Sequence, residues 1–399
     1  MTVTKKEVGD SQAQPPTSGP VVLLILLGLL VVGQMYAVLA LTTPMSETFD
    51  VPGPDITWAT TAFGIAYAAG FLVAGPMTDR HGPRAVIVTG LLACTLTTIA
   101  VSSASSLGWA VALRAVQGVT AATFAPAAFA YVAHHVAPVR RPFALTCVTS
   151  AMLASAIVMQ IAVAPVADAA GWRAVFVING LLMALSAIVA RRVLRPGPHQ
   201  HDTSLVQAFA VMPALLRPAH LLAVYGATVC LMSAFVGLYA AIAIAGPPAL
   251  AGDTGAVLLL RASSLPALVM VAASAPFLQR LRGPVRSVAA LAVGALALLA
   301  ASLLGSHVVW LGAALFVFVA AVAATAPAMV QTITALAPKS TGAAVALYAC
   351  GMFIGASLGP QLVRAGVSHG FGPVLQGLAA LLVLGAVLVL PVLRSRKAS

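Results

Sequence analysis

Charge is what this 399-residue chain has least of. Asp, Glu, Lys and Arg together make up 8% of it, and nine of those residues are acidic, against roughly 25% charged residues in an ordinary soluble domain. A soluble protein of this length needs far more charge to cover its surface, so a soluble enzyme and a charge-rich disordered chain are both excluded. Cysteine is also scarce. Cys94, Cys147, Cys230 and Cys350 lie far apart, each within an apolar run and without a CxxC pair, a pattern of buried small hydrophobes that gives neither a disulfide framework nor a metal site. His199 and His201, in PGPHQHD, read as a solvated loop. No GxxxxGK[ST] motif is present, so neither ATP-driven work nor a cofactor is expected.

What the chain has is apolar residues, 61% of the total. A membrane helix needs ~20 mostly apolar residues, and twelve such runs can be drawn, at 21–41, 57–77, 85–101, 108–134, 143–166, 174–193, 219–245, 255–278, 287–304, 308–336, 342–364 and 372–393. Continuous apolar runs exclude a membrane β-barrel, whose strands alternate. The first run is too long for a signal peptide and reads as a retained span. The longest connection, 195–218, divides the chain. The expected organisation is a tail at 1–20, six spans in 21–194, a linker at 195–218, six spans in 219–393 and a tail at 394–399.

Of the 21 Lys and Arg, all but Arg114, Arg173, Arg261 and Arg364 fall in segments that lie on one side if the N-terminus is cytoplasmic. The positive-inside rule then puts both termini in the cytoplasm of a multi-pass protein of the cell membrane. The net charge of +12 is therefore a topological signal and not a nucleic-acid footprint. Trp58, Trp109, Trp172 and Trp310 all fall at outer span ends, where an interfacial aromatic belt is expected.

The two halves echo each other. Gly82-Pro83 recurs as Gly283-Pro284, Trp109 as Trp310, Pro126 as Pro327 and Gly171 as Gly372, each at an offset of 201, while Pro138 recurs as Pro338 one residue short. Six spans per half is an even number, so the halves share one orientation. That is a parallel repeat, the architecture in which two bundles rock about a midplane site. Pro126 and Pro327 are expected to kink spans four and ten at matching depths.

Three motifs then point one way. Gly75-Pro-Met-Thr-Asp79-Arg80-His-Gly82-Pro-Arg84, between spans two and three, resembles the G-x-x-x-D-R-x-G-R-[RK] signature of the major facilitator superfamily. Arg114-Ala-Val-Gln117-Gly118-Val-Thr-Ala-Ala122 resembles its R-x-x-Q-G-x-x-x-A. Gly171-Trp172-Arg173, with Phe176 and Asn179, is similar to the start of its span six, and span eleven carries Gly351, Gly355 and Gly359-Pro360. The resemblance covers the whole chain and is nearest to the twelve-span drug and metabolite exporters. It implies an all-α membrane protein with twelve transmembrane helices in two pseudo-symmetric six-helix bundles. It further implies secondary transport of a small organic solute by alternating access, in the export direction. Span five departs from the exporter pattern: Met159-Gln160 stands where G-P is usual, and no glycine follows before Gly171, so antiport is not carried over.

The resemblance implies that Asp79 is a latch, released from the positive N-terminal end of span eleven near Thr341 when the bundles rock. The plainer reading is a solvated loop charge. Arg114 lies about six residues into span four, and a cation at that depth costs at least ~2.5 kcal/mol unless it meets a partner or a wet cavity. Arg114 and Gln117 share a helical face. Two readings stand for Arg114, solute contact or charge switching in the cavity, and pairing with backbone carbonyls. Arg261 lies at a similar depth in span eight. Gln34, Tyr36, Tyr225, Tyr239 and Gln331 are further cavity candidates, each of which also suits a helix–helix bond. Gly118, Gly351, Gly355, Gly359 and Pro360 are read as packing positions.

No acidic residue falls mid-span. Coupling through protons at Asp79 or a span end, coupling through the solute's own charge, and no coupling all stay open, and two intramembrane arginines without acidic partners suit an anionic solute. Gly355-Ala-Ser357-Leu-Gly359 spells a nucleophile elbow, but that motif needs a strand–turn–helix setting with a nearby histidine, so no catalytic residue is assigned. Alternatives to an exporter are an importer or facilitator of an organic anion and, from another class, a transporter-like solute sensor. The expected partners are a small-molecule solute and the lipid bilayer.

Overall fold

The computed structural model describes residues 18–137, 140–196, 212–247, 250, 254–278, 280–304, 307–338 and 341–394. Most of the expected tails, His199 and His201, and most of the expected linker lie outside the described residues. Every regular element among the described residues is a helix, as an apolar chain requires when hydrocarbon leaves backbone N–H and C=O groups no partner but each other.

Ten helices are long and apolar enough to cross a membrane. The longest, Arg141–Val193, has non-helical backbone at Gly171 and is therefore two spans. A two-piece apolar helix, Thr254–Ala262 and Leu265–Leu278, is the twelfth. In chain order these are α1 (Ser18–Leu27, continued through Gly28–Val32 to Gly33–Ala40), α2 (Thr57–His81), α3 (Pro83–Val101), α4 (Leu107–Ala121 and Phe124–His135), α5 (141–170) and α6 (172–193). Then follow α7 (Ala219–Ala245), α8 (the two pieces above), α9 (Gly283–Leu304), α10 (Val308–Leu336), α11 (Thr341–Gly366) and α12 (Phe371–Leu393).

The interruptions have local causes. Proline has no N–H for the carbonyl four residues back. α4 breaks at Ala122 and Thr123, ahead of Pro126, and α8 at Ser263 and Ser264, ahead of Pro266. α10 runs without a break through Pro327, unlike α4. α1 carries a π-helical turn at Gly28–Val32. Gly171 reverses the chain at φ 81° and ψ 161°, a conformation open to glycine. The corresponding turn before α12 is made by Gly370, at φ 90°, and not by Gly372, so the repeat offset shortens by two residues there.

Within the first half α2 packs on α4, α3 on α4 and on the Arg141–Val193 hairpin, and α1 on that hairpin. In the second half α7 packs on α11 and α12, and α9 on α10 and α12. Contacts between the halves run through α2 with α11, α8 with the Arg141–Val193 hairpin, and α1 with α7. Threonine hydroxyls inside spans bond back to carbonyls four residues earlier (Thr95 to Leu91, Thr228 to Val224, Thr325 to Ala321), which keeps them satisfied in an apolar medium. Trp58, Trp109 and Trp310 are exposed where an interfacial belt would lie. Trp172 departs from that expectation: it is buried, and its indole N–H donates to Thr48 of the short helix Thr42–Phe49.

Candidate functional site

The spacing of Arg114 and Gln117 on one face of α4 draws together three helices. The Arg114 side chain has no exposed surface. Its Nη1 donates to Gln117 Oε1 at 2.6 Å and its Nη2 to the backbone oxygens of Gln34 at 2.8 Å and Met35 at 3.5 Å. Its Nε donates to Ala59 O at 3.4 Å. The guanidinium lies 4.3 Å from the centre of the Phe63 ring. Gln117 passes the network on, donating to Thr98 Oγ1 at 2.8 Å and Gln34 Oε1 at 3.4 Å. Carbonyl dipoles, a π face and two amides thus surround a cation that has no carboxylate partner among the described residues. Charge-assisted hydrogen bonds of this kind contribute about 1.5–3 kcal/mol each, enough together to offset the cost of a cation at that depth.

Arg261, the other intramembrane cation, is 4% exposed but differently placed. Its Nε is sealed from solvent without a hydrogen-bond partner, and no described residue forms an ion pair with it. Close by, the Tyr239 hydroxyl meets Ser264 Oγ at 3.3 Å, and Ser264 donates to the Arg261 carbonyl at 2.8 Å. Tyr36 of α1 is buried within electrostatic reach of the Tyr239 hydroxyl. Tyr36, Tyr239 and Arg261 therefore belong to one neighbourhood, and Gln34, Arg114 and Gln117 to another. Tyr225 is buried with its hydroxyl unpartnered. Gln331 is remote from both groups: it accepts from Arg286 Nη2 at 2.9 Å, and Arg286 also reaches Leu278 O at the end of α8.

Helix proximity is set by glycine. A Cβ on Gly118 would come within 2.3 Å of Phe63 O on α2. One on Gly355 would come within 2.4 Å of Val229 O, and one on Gly359 within 2.5 Å of Ser233 O, both on α7. Gly351 is looser, 3.5 Å from Tyr225 O. Pro360 lies inside α11, which continues through it. Near the C-terminal end of α2, a Cβ on Gly75 would meet nothing within 4 Å. Gly82 turns the chain at φ 80°, Arg80 is exposed, and Arg84 Nη2 donates to Arg191 O at 2.5 Å. The Asp79 side chain lies outside the described residues. Ser357 sits within α11 and donates to Phe353 O at 2.7 Å, a helical setting with no nucleophile elbow.

Sequence reasoning missed the contact between α2 and α11. Arg364 donates twice to Asp55 Oδ1, at 2.8 Å from Nε and 2.6 Å from Nη2. Gln361 Nε2 donates to the hydroxyls of Thr57 and Thr61, and Thr61 donates to Ser357 O at 2.9 Å. Further along, the Tyr67 and Phe353 rings lie 4.0 Å apart and Cys350 Sγ donates to Ala68 O at 2.9 Å. The available signal was an acid at the start of span two and a cation at the end of span eleven, adjacent in a rocking pair of bundles. Gln160, buried with Oε1 unpartnered, was also passed over.

Known proteins agree with this architecture. Over 98% of both chains the structure superposes, with a TM-score of 0.72 at 16% identity, on a bacterial homologue of the human lysosomal transporter Spinster in its inward-facing, unoccupied conformation. In sequence the chain is 26% identical over 199 residues to an uncharacterised MFS-type transporter of Mycobacterium tuberculosis, covering 50% of this chain and 34% of the relative. It is 24% identical over 200 residues to the methylenomycin A resistance protein of Bacillus subtilis (48% and 42%), and 30% identical over 154 residues to a cephamycin export protein of Amycolatopsis lactamdurans (38% and 32%). The chain thus spans less than half the length of these curated relatives. The Major Facilitator Superfamily profile matches residues 23–360, most of the sequence, and the chain belongs to that superfamily.

Proposed function

We propose that this transporter moves a small organic solute out of the cell, across the cytoplasmic membrane, by rocking one six-helix bundle (21–194) against the other (219–393), with both termini in the cytoplasm. The observation that carries the reading is the α2–α11 contact. Its bonds begin at the outer pair Asp55–Arg364 and run inward to Ala68–Cys350, while Gly75, nearer the cytoplasm, faces open space. Two bundles bonded to each other toward one end suit one half of an alternating-access cycle. Export is supported by the relatives named for methylenomycin A resistance and cephamycin export.

In this reading the Gly75-to-Arg84 segment closes the inner end in the opposite state, with Asp79 as its latch, and the solute enters between the bundles beside Tyr36, Tyr239 and Arg261. Energy then comes from protons carried by Asp79 or another group at a span end, or from the solute's own charge, or transport is uncoupled. The test is flux through purified full-length protein in liposomes, driven by imposed pH and electrical gradients without ATP. Gradient-dependent solute movement is expected. Binding of solutes with no flux of any of them would favour the sensor reading instead.

A further inference from the structure

Of the three buried arginines, Arg286 lies at the start of α9 and bonds to Gln331 and Leu278 O; the two deep within spans, Arg114 and Arg261, differ in what their hydrogens do. A guanidinium has five N–H donors and no way to neutralise itself in a protein. Arg114 spends four of its five donors on Gln117 and on the carbonyls of Gln34, Met35 and Ala59, and its side chain has no exposed surface from which to offer the fifth. Arg261 spends none among the described residues, although it is equally deep: it lies seven residues beyond Thr254, roughly 10 Å along the helix axis. A buried cation without a partner is costly, and such residues within spans mark solute or ion pathways.

The surroundings define what would complete it. α8 breaks at Ser263 and Ser264, directly after Arg261, and interrupted helices are tolerated at membrane depth where they line a cavity. Ser264 commits its hydrogen to the Arg261 carbonyl, so in the 3.3 Å contact between the two hydroxyls Tyr239 is the donor. That long, neutral bond leaves the Tyr239 hydrogen free to turn toward a stronger acceptor. Beyond it the walls are aromatic: Phe235 lies edge-on to Tyr239 with centroids 5.5 Å apart, and Phe318 of α10 stacks with Phe235 at 6.4 Å.

Resting on the transport reading above, we infer that Arg261 is the anion-recognition point of the solute site. The solute is an organic anion, a carboxylate or sulfonate on an apolar body, its charge on Arg261, its second oxygen accepting from Tyr239 and its body against Phe235. Arg114 is part of the scaffold and takes no share in charge selection.

The test uses the purified full-length protein and three probes that share a two-ring body, 1-naphthoate, 1-naphthamide and 1-naphthylmethylammonium, read as the shift in thermal unfolding midpoint. Naphthoate should stabilise the wild type and the other two should not. Arg261→Met should lose at least tenfold in apparent naphthoate affinity, and Arg261→Lys should keep part of it. Without ligand, Arg261→Met should raise the midpoint by about 2 °C or more, because it removes an unpaired buried cation; a structural arginine would lower it. The inference is overturned if naphthamide or chloride stabilises as well as naphthoate, if wild-type protein does not respond to naphthoate, or if Arg261→Met responds like wild type. Liposome flux separates the two readings. No flux of any solute defeats transport itself, whereas flux of neutral or cationic solutes with no response to naphthoate defeats the anion site alone.

Discussion

Asp55, just ahead of α2, and Arg364, near the end of α11, are joined by two hydrogen bonds from one guanidinium to one carboxylate oxygen, the shorter 2.6 Å. They are 309 positions apart in the chain and form the only ion pair among the described residues. Both side chains keep about a third of their surface in solvent, so the pair adds only about 0–1 kcal/mol to stability. Its leverage lies elsewhere. It exists only while these ends of α2 and α11 meet, so its whole free energy counts toward that state, and 1 kcal/mol is about a fivefold change in the ratio of two conformers.

Neutralising it should therefore shift conformation more than it shifts folding. In Asp55→Asn or Arg364→Gln, spin labels on the exposed loop residues Ser105 and Ser368 should show more of the population at long separation, with the unfolding midpoint nearly unchanged. The exchange Asp55→Arg with Arg364→Asp should restore the short distance. Identical distance distributions in wild type and single variants would mean that the pair follows closure and does not favour it.

Arg114 predicts the opposite pattern. Its donors tie α4 to carbonyls of α1 and α2, so the first half of the chain is built on it. Lysine keeps the charge but cannot present a planar fork of donors to all four acceptors at once. Arg114→Lys and Arg114→Met are expected to lower stability by about 1–3 kcal/mol or more, the usual cost of each buried polar group left without its partner, and to reduce the yield of folded protein. Gln117→Leu, which strands Arg114 Nη1 and removes the donor to Thr98, should cost about 1–3 kcal/mol. Thermal unfolding of purified variants measures both. Well-folded Arg114→Met protein with altered solute selectivity would return Arg114 to the cavity.

These two arginines show where sequence reading stops. Span count, helix type and family were legible because hydrocarbon enforces long apolar helices, and because Gly82 and Gly118 stand at the spacings that turns and close contacts demand. Which buried cation is satisfied was not legible, since Arg114 is paired by backbone carbonyls of α1 and α2, and carbonyls leave no mark in the sequence. The Asp55–Arg364 pair was hidden for a related reason. Each residue alone reads as a span-end charge, and only the approach of α2 to α11 joins them. The break in α8 was written at Pro266 and overlooked because the apolar run continued through it.

Glycine gives a last prediction that separates packing from gating. Gly118→Ala sets a methyl group against the Phe63 carbonyl and Gly355→Ala sets one against the Val229 carbonyl, at 2.3 and 2.4 Å. Backbone cannot swing aside as a side chain can, so α2 must part from α4, or α7 from α11. Overpacking of this kind typically costs about 1–3 kcal/mol, and both variants should unfold at lower temperature. Gly75→Ala adds its methyl where nothing lies within 4 Å, and alanine favours the helix by up to about 1 kcal/mol, so its midpoint should hold or rise. If the segment around Gly75 and Asp79 is the inner seal of the opposite state, that methyl obstructs the closed form alone. Gly75→Ala and Asp79→Asn should then reach the membrane, unfold no earlier than wild type, and lose most of their liposome flux. Full flux in both would leave Asp79 a solvated loop charge and place the inner seal elsewhere.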